Sequence, residues 1–159
     1  MCWTCEHPGS DYVTEVVRPI IQRHGWFVQY VEPGGPHAAL AYTIGLLEHG
    51  LPELVVTGLS PVGSAAVLNR AGDELHHREL PEPGQRLELD GQLLEVVAVT
   101  HPDAHLMTLV QCYGPDVSAL QLVHDDERGA WPWSRGYRSG RGGQPVLGPR
   151  ARSRAGADR

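Results

Sequence analysis

The chain has 159 residues, about the size of one globular domain and too short for two full ones. Hydrophobic residues make up 41% of the chain and charged residues 20%, which provides enough apolar surface to bury a core. No apolar stretch reaches the roughly 18 residues needed to cross a bilayer, and the first residues lack the pattern of a signal peptide. Because three cysteines make a poor disulfide framework, we expect a soluble cytoplasmic protein with no membrane segment.

The charge is divided unevenly along the chain, whose net charge is −6. Residues 134–159 hold seven arginines and one aspartate, so this end carries +6 and the rest of the chain carries −12. The low content of apolar anchors there predicts a globular domain over residues 1–148 and a disordered Arg-rich tail over residues 149–159. Arginines can hold phosphates, but the acidic body would repel a nucleic acid, so we do not expect nucleic-acid binding.

Hydrophobic periodicity predicts the elements in chain order. Apolar residues at spacings of three and four indicate helices, and short alternating or continuous apolar runs indicate strands. Pro19 predicts a kink or a boundary near Arg18, and Asp90-Gly91 predicts a tight hairpin turn. The predicted elements are a helix over 11–24, strands over 26–31, 38–46 and 53–57, a helix over 62–70 that ends near Gly72, strands over 86–89 and 93–100, a helix over 101–113 and a strand over 119–123.

This order predicts an α+β fold with a single mixed, largely antiparallel sheet and two or three helices. The continuous apolar run over residues 53–57 is typical of a central strand that is covered on both faces. The sequence leaves open whether the sheet is open or barrel-like. At the level of the fold alone, the order resembles the split barrels of flavin reductases, so flavin is one cofactor hypothesis.

Cys2, Cys5 and His7 form the first candidate site. Their spacing places two thiolates and an imidazole within six residues, which would supply three of the four ligands of a tetrahedral zinc ion. A structural zinc site normally brings a second ligand pair with short spacing, and the sequence contains no such pair. The alternative is two ordinary thiols beside a surface histidine.

Other histidines favour structural or solvent roles. His101 and His105 lie four residues apart, but Pro102 makes His101 a cap residue and not a clean member of the helix. His76 and His77 lie in a polar segment, where histidines are usually solvated.

Polar residues near predicted strand ends form the second candidate site. If their strands share one sheet, these side chains and two nearby indoles would line a concave ligand site. In the alternative, the aromatic rings pack in the core or at its rim, and the glutamate opposes arginine or backbone donors. The residues concerned are Tyr42, Thr43, Glu53, Gln121, Asp125, Trp131 and Trp133.

The sequence lacks the common catalytic signatures. It contains no phosphate-binding P-loop, no Gly-x-Gly-x-x-Gly after a strand and no Gly-x-Ser-x-Gly elbow. Nucleotide hydrolysis and serine-hydrolase chemistry therefore lose their main support, and the sequence leaves open whether the protein is an enzyme.

Several strings carry a family resemblance, among them CEHPG at residues 5–9, AYTIGL at 41–46 and GLPELVVTGL at 50–59. Over about residues 5–148 the chain resembles the bacterial family called domain of unknown function 4262, whose name implies no established activity. His124 stands where similar sequences carry an aromatic residue, usually Trp. The resemblance implies a site among motif residues that a core would not need, namely His7, Tyr42, Thr43, Glu53, Gln121 and Asp125.

Two functional hypotheses follow. The first is a domain that binds a small molecule or cofactor in a pocket at the sheet ends, through these six residues and Trp133. The second is a non-catalytic interaction or regulatory module, in which Trp131 and Trp133 form an exposed anchor and the arginine tail engages an acidic partner. Zinc binding is a lesser hypothesis, and the sequence leaves the oligomeric state open.

Overall fold

A computed structural model describes residues 11–140 and 143–151 of the chain. Its strands are β1 (Phe27–Val31), β2 (Leu40–Ile44), β3 (Glu53–Thr57), β4 (Arg86–Leu89), β5 (Gln92–Ala98) and β6 (Ala119–His124). They form one sheet in the order β1-β2-β3-β6-β5-β4, in which only β3 and β6 are parallel neighbours. The predicted α+β fold with a mixed, largely antiparallel sheet is confirmed. Of the two forms left open by the sequence, the open sheet is observed, with β1 and β4 at its edges.

Helices cover both faces of the sheet. A π-helical turn over Val13–Val17 leads into α1 (Arg18–His24), and α2 (Pro61–Leu75), α3 (Pro102–His105) and α4 (Met107–Tyr113) follow. The predicted boundary near Arg18 is confirmed, because Pro19 lacks the N–H that would continue the preceding helical bonds. None of the described helices combines the length and the apolar character that a membrane span requires.

Two predicted helices have different limits in the structure. The helix expected over residues 101–113 is divided between α3 and α4, because Leu106 leaves helical geometry with φ −108° and ψ 66°. Helix α2 continues past Gly72 to Leu75. Gly72 therefore does not end the helix. Its lack of a side chain allows the Trp26 indole to pack against it, because a Cβ there would lie 3.0 Å from that ring.

The two faces of the sheet carry separate parts of the core. Leu54 and Val56 of β3 pack in the cluster that contains Leu68 of α2. Val55, between them, packs on the opposite face in the cluster that contains Leu109 of α4. All five residues of β3 are buried, so the predicted central strand covered on both faces is confirmed.

An irregular segment, residues 143–151, also packs on the face that carries Val55, and we call it the C-terminal strap. The backbone N–H of Thr100 donates to the Leu147 carbonyl at 2.8 Å, and Arg150 forms an ion pair with Glu95 at 2.7 Å. The tail boundary expected at residue 148 stays a prediction, since residues 152–159 lie outside the described part of the chain.

We predict that Gly148→Ala destabilises the protein by about 1–3 kcal/mol, because the new Cβ would clash with the carbonyl oxygen of Ala98 and push the strap off the sheet. Chemical denaturation at pH 7 measures the loss. Gly136→Ala is the matched control, since a Cβ at Gly136 has no atom within 4 Å. Equal stability of the two variants would contradict this role for the strap.

Candidate functional site

Glu53 begins β3 and is fully buried. Its Oε1 accepts hydrogen bonds from the backbone N–H groups of Gly45 at 2.8 Å and Leu47 at 3.2 Å. Its Oε2 accepts from the N–H of Leu46 at 3.3 Å and from the hydroxyl of Thr43 at 2.6 Å. Four protein donors therefore occupy the roughly four acceptor positions of the carboxylate.

The local sequence explains this arrangement. Gly45 adopts φ 117°, a conformation that favours glycine, and the chain then turns so that three successive N–H groups point at the carboxylate. The Thr43 hydroxyl also accepts from the N–H of Leu54 at 2.8 Å, which joins the end of β2 to the start of β3. Burial raises the pKa of the Glu53 carboxyl, and the four hydrogen bonds oppose that effect.

Tyr42 and Gln121 lie on the same face of the sheet, on either side of Val55. The Tyr42 hydroxyl accepts the N–H of Thr108 at 3.1 Å, at the start of α4, and burial raises the pKa of the phenol. Gln121 contacts the strap instead, since its Oε1 accepts the N–H of Leu147 at 2.7 Å. Tyr42 thus holds a helix on the sheet, and Gln121 holds the strap.

Asp125 follows β6 and is half-buried in a cleft of about 640 Å³. We call this space the β6 cleft. Every residue that lines it has a polar or charged side chain, which distinguishes it from the apolar core. The residues that line it are Gln92, His124, Asp125, Asp126, Glu127, Arg128 and Arg138.

Asp126 gives the β6 cleft a fixed wall. Its Oδ1 accepts the N–H groups of Arg128 and Ala130, each at 2.9 Å, and its Oδ2 accepts the N–H of Arg138 at 2.7 Å. Hydrogen bonding, led by the N–H of Arg138, lowers the pKa of the Asp126 carboxyl, which therefore stays ionised. Asp126 thus binds the backbone of Arg128 and Arg138, and both residues line the cleft. The guanidinium of Arg138 lies 5.3 Å from the ring centre of Tyr137.

His124 lies at the base of the β6 cleft and is 4% exposed. Its N–H donates to Oε1 of Gln144 at 3.0 Å, and its carbonyl accepts from Nε2 of Gln144 at 2.8 Å. Nδ1 lies 3.0 Å from the carbonyl oxygen of Asp125, an acceptor, so Nδ1 carries the proton and Nε2 is the acceptor of the ring. Within residues 11–140 and 143–151, Nε2 of His124 is the one buried side-chain polar atom without a hydrogen-bond partner.

The tryptophans belong to a closed cluster beside the strap. The rings of Trp131 and Trp133 stack with centroids 5.4 Å apart and planes at 3°. The guanidinium of Arg86 lies 4.6 Å from the ring centre of Trp131, and that of Arg150 lies 4.2 Å from the ring centre of Trp133. Both arginines bind the buried carboxylate of Glu95. Trp131 is buried and Trp133 half-buried, and one guanidinium lies over each ring.

The structure brings together only some of the residues that the sequence singled out. Thr43 and Glu53 are in direct contact, whereas Asp125 lines a cleft to which neither Tyr42 nor Glu53 contributes. Cys2, Cys5 and His7 lie outside the described residues. Among the residues that are described, no three or more His, Cys, Asp or Glu side chains form a group suited to a metal ion.

Sequence reasoning missed His124 and Arg138 as residues of the β6 cleft. The departure from an aromatic residue at position 124 was the one signal for His124. Arg138 lies in a Gly/Arg/Ser-rich segment that favours disorder, and its N–H donates to Asp126, two residues after β6.

We predict that Glu53→Gln costs about 2–4 kcal/mol of the free energy of unfolding, because the amide nitrogen would face N–H donors that the carboxylate oxygens now accept. Chemical denaturation at pH 7 measures the loss. Glu32→Gln, an exposed control, should change it by less than about 0.5 kcal/mol. A loss at Glu53 as small as that of the control would show that the carboxylate is dispensable.

A second prediction concerns pH and Glu95. Burial raises the pKa of this carboxyl, but the hydrogen bonds from Arg150 and Arg86 outweigh it and hold the pKa below the ordinary 4.5. The contribution of the ionised Glu95 to the free energy of unfolding is therefore complete above its ordinary pKa. It is lost as the pH falls through the lowered pKa of the folded state. Glu95→Gln should lose about 1–3 kcal/mol at pH 7.

The difference between wild type and Glu95→Gln should shrink as the pH falls from about 5 to about 3, because acid removes the same charge from the wild type. Urea denaturation at each pH measures it. Glu88→Gln on β4, an exposed control, should differ little from wild type across this range. A difference that does not vary with pH would exclude the ion-paired carboxylate as its cause.

The comparisons with known proteins agree with the motifs in the sequence. One family matches the chain, described as a domain of unknown function (DUF4262), and the match covers residues 20–138. No curated protein and no solved structure matches the chain. The matched segment includes all six strands, Glu53 and every residue that lines the β6 cleft. Since the match covers well over half of its length, the chain belongs to the DUF4262 family.

Proposed function

We propose that this domain binds a small polar molecule in the β6 cleft. The observation that carries the proposal is the meeting of Asp125, Arg128 and Arg138 in a cleft of about 640 Å³, within the range of small-molecule sites. Of the ligand residues that the sequence predicted, Asp125 is the one that lines this cleft.

The lining carries three carboxylates and two guanidinium groups, which suits a ligand that has both hydrogen-bond donors and an anionic group. The planar guanidinium groups of Arg128 and Arg138 can bind a carboxylate or a phosphate in a bidentate manner. The Asp125 carboxylate can accept from a hydroxyl or an amine on the same molecule. Because Asp126 already fixes the backbone around them, little backbone conformational entropy would be lost on binding.

His124 adds a further observation in favour of this cleft. A buried acceptor without a partner costs free energy, and such atoms call for a functional explanation. A donor group of a bound ligand that reached Nε2 of His124 would satisfy it. A ligand whose donor paired with Nε2 would therefore be favoured over an analogue that lacks this donor.

The contacts of the tryptophans give less support to the interaction module. An aromatic anchor needs exposed ring surface, but Trp131 is buried, Trp133 is half-buried and a guanidinium lies over each ring. Their arrangement favours packing of the strap over recognition of a partner. Flavin mononucleotide remains a ligand to test in the β6 cleft, because its phosphate would suit the two arginines and its size suits the volume.

The experiment begins with untagged protein purified under native conditions and analysed by native mass spectrometry. We expect a co-purified small molecule, or a rise in unfolding temperature on addition of flavin mononucleotide or of inorganic phosphate as an anion probe. Metal analysis of the same sample tests zinc at Cys2, Cys5 and His7, for which less than about one tenth of an equivalent would be incompatible with a structural ion.

Variants then locate the binding. Asp125→Asn and Arg128→Ala should each weaken binding at least about tenfold, since each removes a charged hydrogen bond worth about 1.5–3 kcal/mol. Asp103→Asn and Arg23→Ala are matched controls on exposed helical positions away from the cleft and should bind as wild type does. The absence of any ligand or thermal shift, or equal losses in the controls, would overturn the proposal.

A further inference from the structure

A pair of histidines lies on the surface formed by the ends of α1 and α2. His49 ends the 3₁₀ turn Leu46–His49, and His76 directly follows α2. The centres of their rings are 5.0 Å apart, and the ring planes meet at 65°. Both side chains are exposed, so a dissolved ion can reach them. The residues are 27 positions apart in the sequence, and only the fold brings them together.

Backbone carbonyl groups fix the tautomer of each ring. Nε2 of His49 lies 3.1 Å from the carbonyl oxygen of Gly25, and Nδ1 of His76 lies 2.8 Å from that of Gly72. A carbonyl only accepts, so these two nitrogens carry the protons of the neutral rings. Nδ1 of His49 and Nε2 of His76 are therefore the nitrogens with available lone pairs. In most histidines that bind metals, the ring nitrogen that does not bind the metal likewise donates its N–H to a carbonyl, a carboxylate or water.

The ring of His76 is further held by Trp26. The two rings stack with centroids 5.5 Å apart, and the indole N–H of Trp26 donates to the side chain of Asn69 at 3.0 Å. Gly72 leaves the space that the indole occupies. The pair is therefore oriented before any ligand binds, which reduces the entropy lost on coordination.

The separation of the rings suits a shared metal ion. Imidazole nitrogens bind Zn²⁺ at about 2.0–2.1 Å, so two rings at a tetrahedral angle have centres about 5 Å apart. The observed separation is 5.0 Å. From this agreement and the fixed tautomers, we infer that His49 and His76 form a two-imidazole binding site for a divalent transition-metal ion.

The site is open, because the described residues supply no third His, Cys, Asp or Glu to complete a group of three. Water or an external ligand would fill the remaining positions, as in metal sites that bind substrates. Imidazole suits copper, nickel and zinc, and affinity at a given site rises to a maximum at Cu²⁺. We therefore expect Cu²⁺ to bind more tightly than Zn²⁺.

The test uses the full chain with Cys2→Ser and Cys5→Ser, which removes the closely spaced pair of thiols that could bind metal elsewhere and leaves only the half-buried thiol of Cys112. Copper quenching of tryptophan fluorescence is the first readout, since Trp26 stacks on His76. Calorimetric titration with Zn²⁺ is the second. We expect saturable binding of one ion in both experiments.

His49→Gln and His76→Gln should each weaken binding at least about tenfold, and the double variant should lose little more than either single variant, because each single change already destroys the chelate. His77→Gln is the matched control: it changes the same residue type one position away and should bind as the parent does. Unchanged binding in the single variants, an equal loss in His77→Gln, or no binding at about 1 mM metal would overturn the inference. Since all three histidines are exposed, unchanged circular dichroism of the variants should verify their folding.

Discussion

The buried carboxylate of Glu53 is the interaction on which the sheet depends. It accepts hydrogen bonds from three N–H groups of the turn that follows β2 and from the hydroxyl of Thr43. The same hydroxyl accepts from the N–H of Leu54, the second residue of β3. A turn buried at this depth would otherwise leave three backbone donors without partners, and each unpaired donor would lower the free energy of unfolding. One side chain therefore sets the register of β2 against β3, and β3 in turn pairs with β6 and separates the two halves of the core.

Side-chain amides perform the same task on the other half of the sheet. Gln121 binds Pro145 and Leu147 of the strap, and Gln144 of the strap binds both backbone groups of His124. An irregular segment has no regular series of backbone hydrogen bonds to the sheet, so side-chain amides, which both donate and accept, supply several of its contacts. This arrangement couples the strap to the β6 cleft, because Gln144 fixes the residue that lies at the base of the cleft.

Polar residues in this family motif thus fall into two groups. Tyr42, Thr43, Glu53 and Gln121 have their polar atoms engaged within the protein, while Asp125 lines the β6 cleft. A motif cannot separate these groups, because a buried acceptor for backbone donors and a ligand-binding acceptor are the same residue type. The histidine pair is the opposite case, because no motif marks His76 as a ligand-binding residue. Only the fold, which places His49 beside it, gives it that potential.

The sequence by itself determined the class of fold, the six strands within a few residues, the central position of β3 and the family. These follow from local periodicity, turn residues and motif strings, each of which acts over a short stretch of chain. Only the tertiary structure decided that Gly72 lies inside a helix, that Arg138 reaches β6 and that His49 meets His76. Each of these depends on contacts between residues far apart in the chain, and no local pattern encodes such a contact.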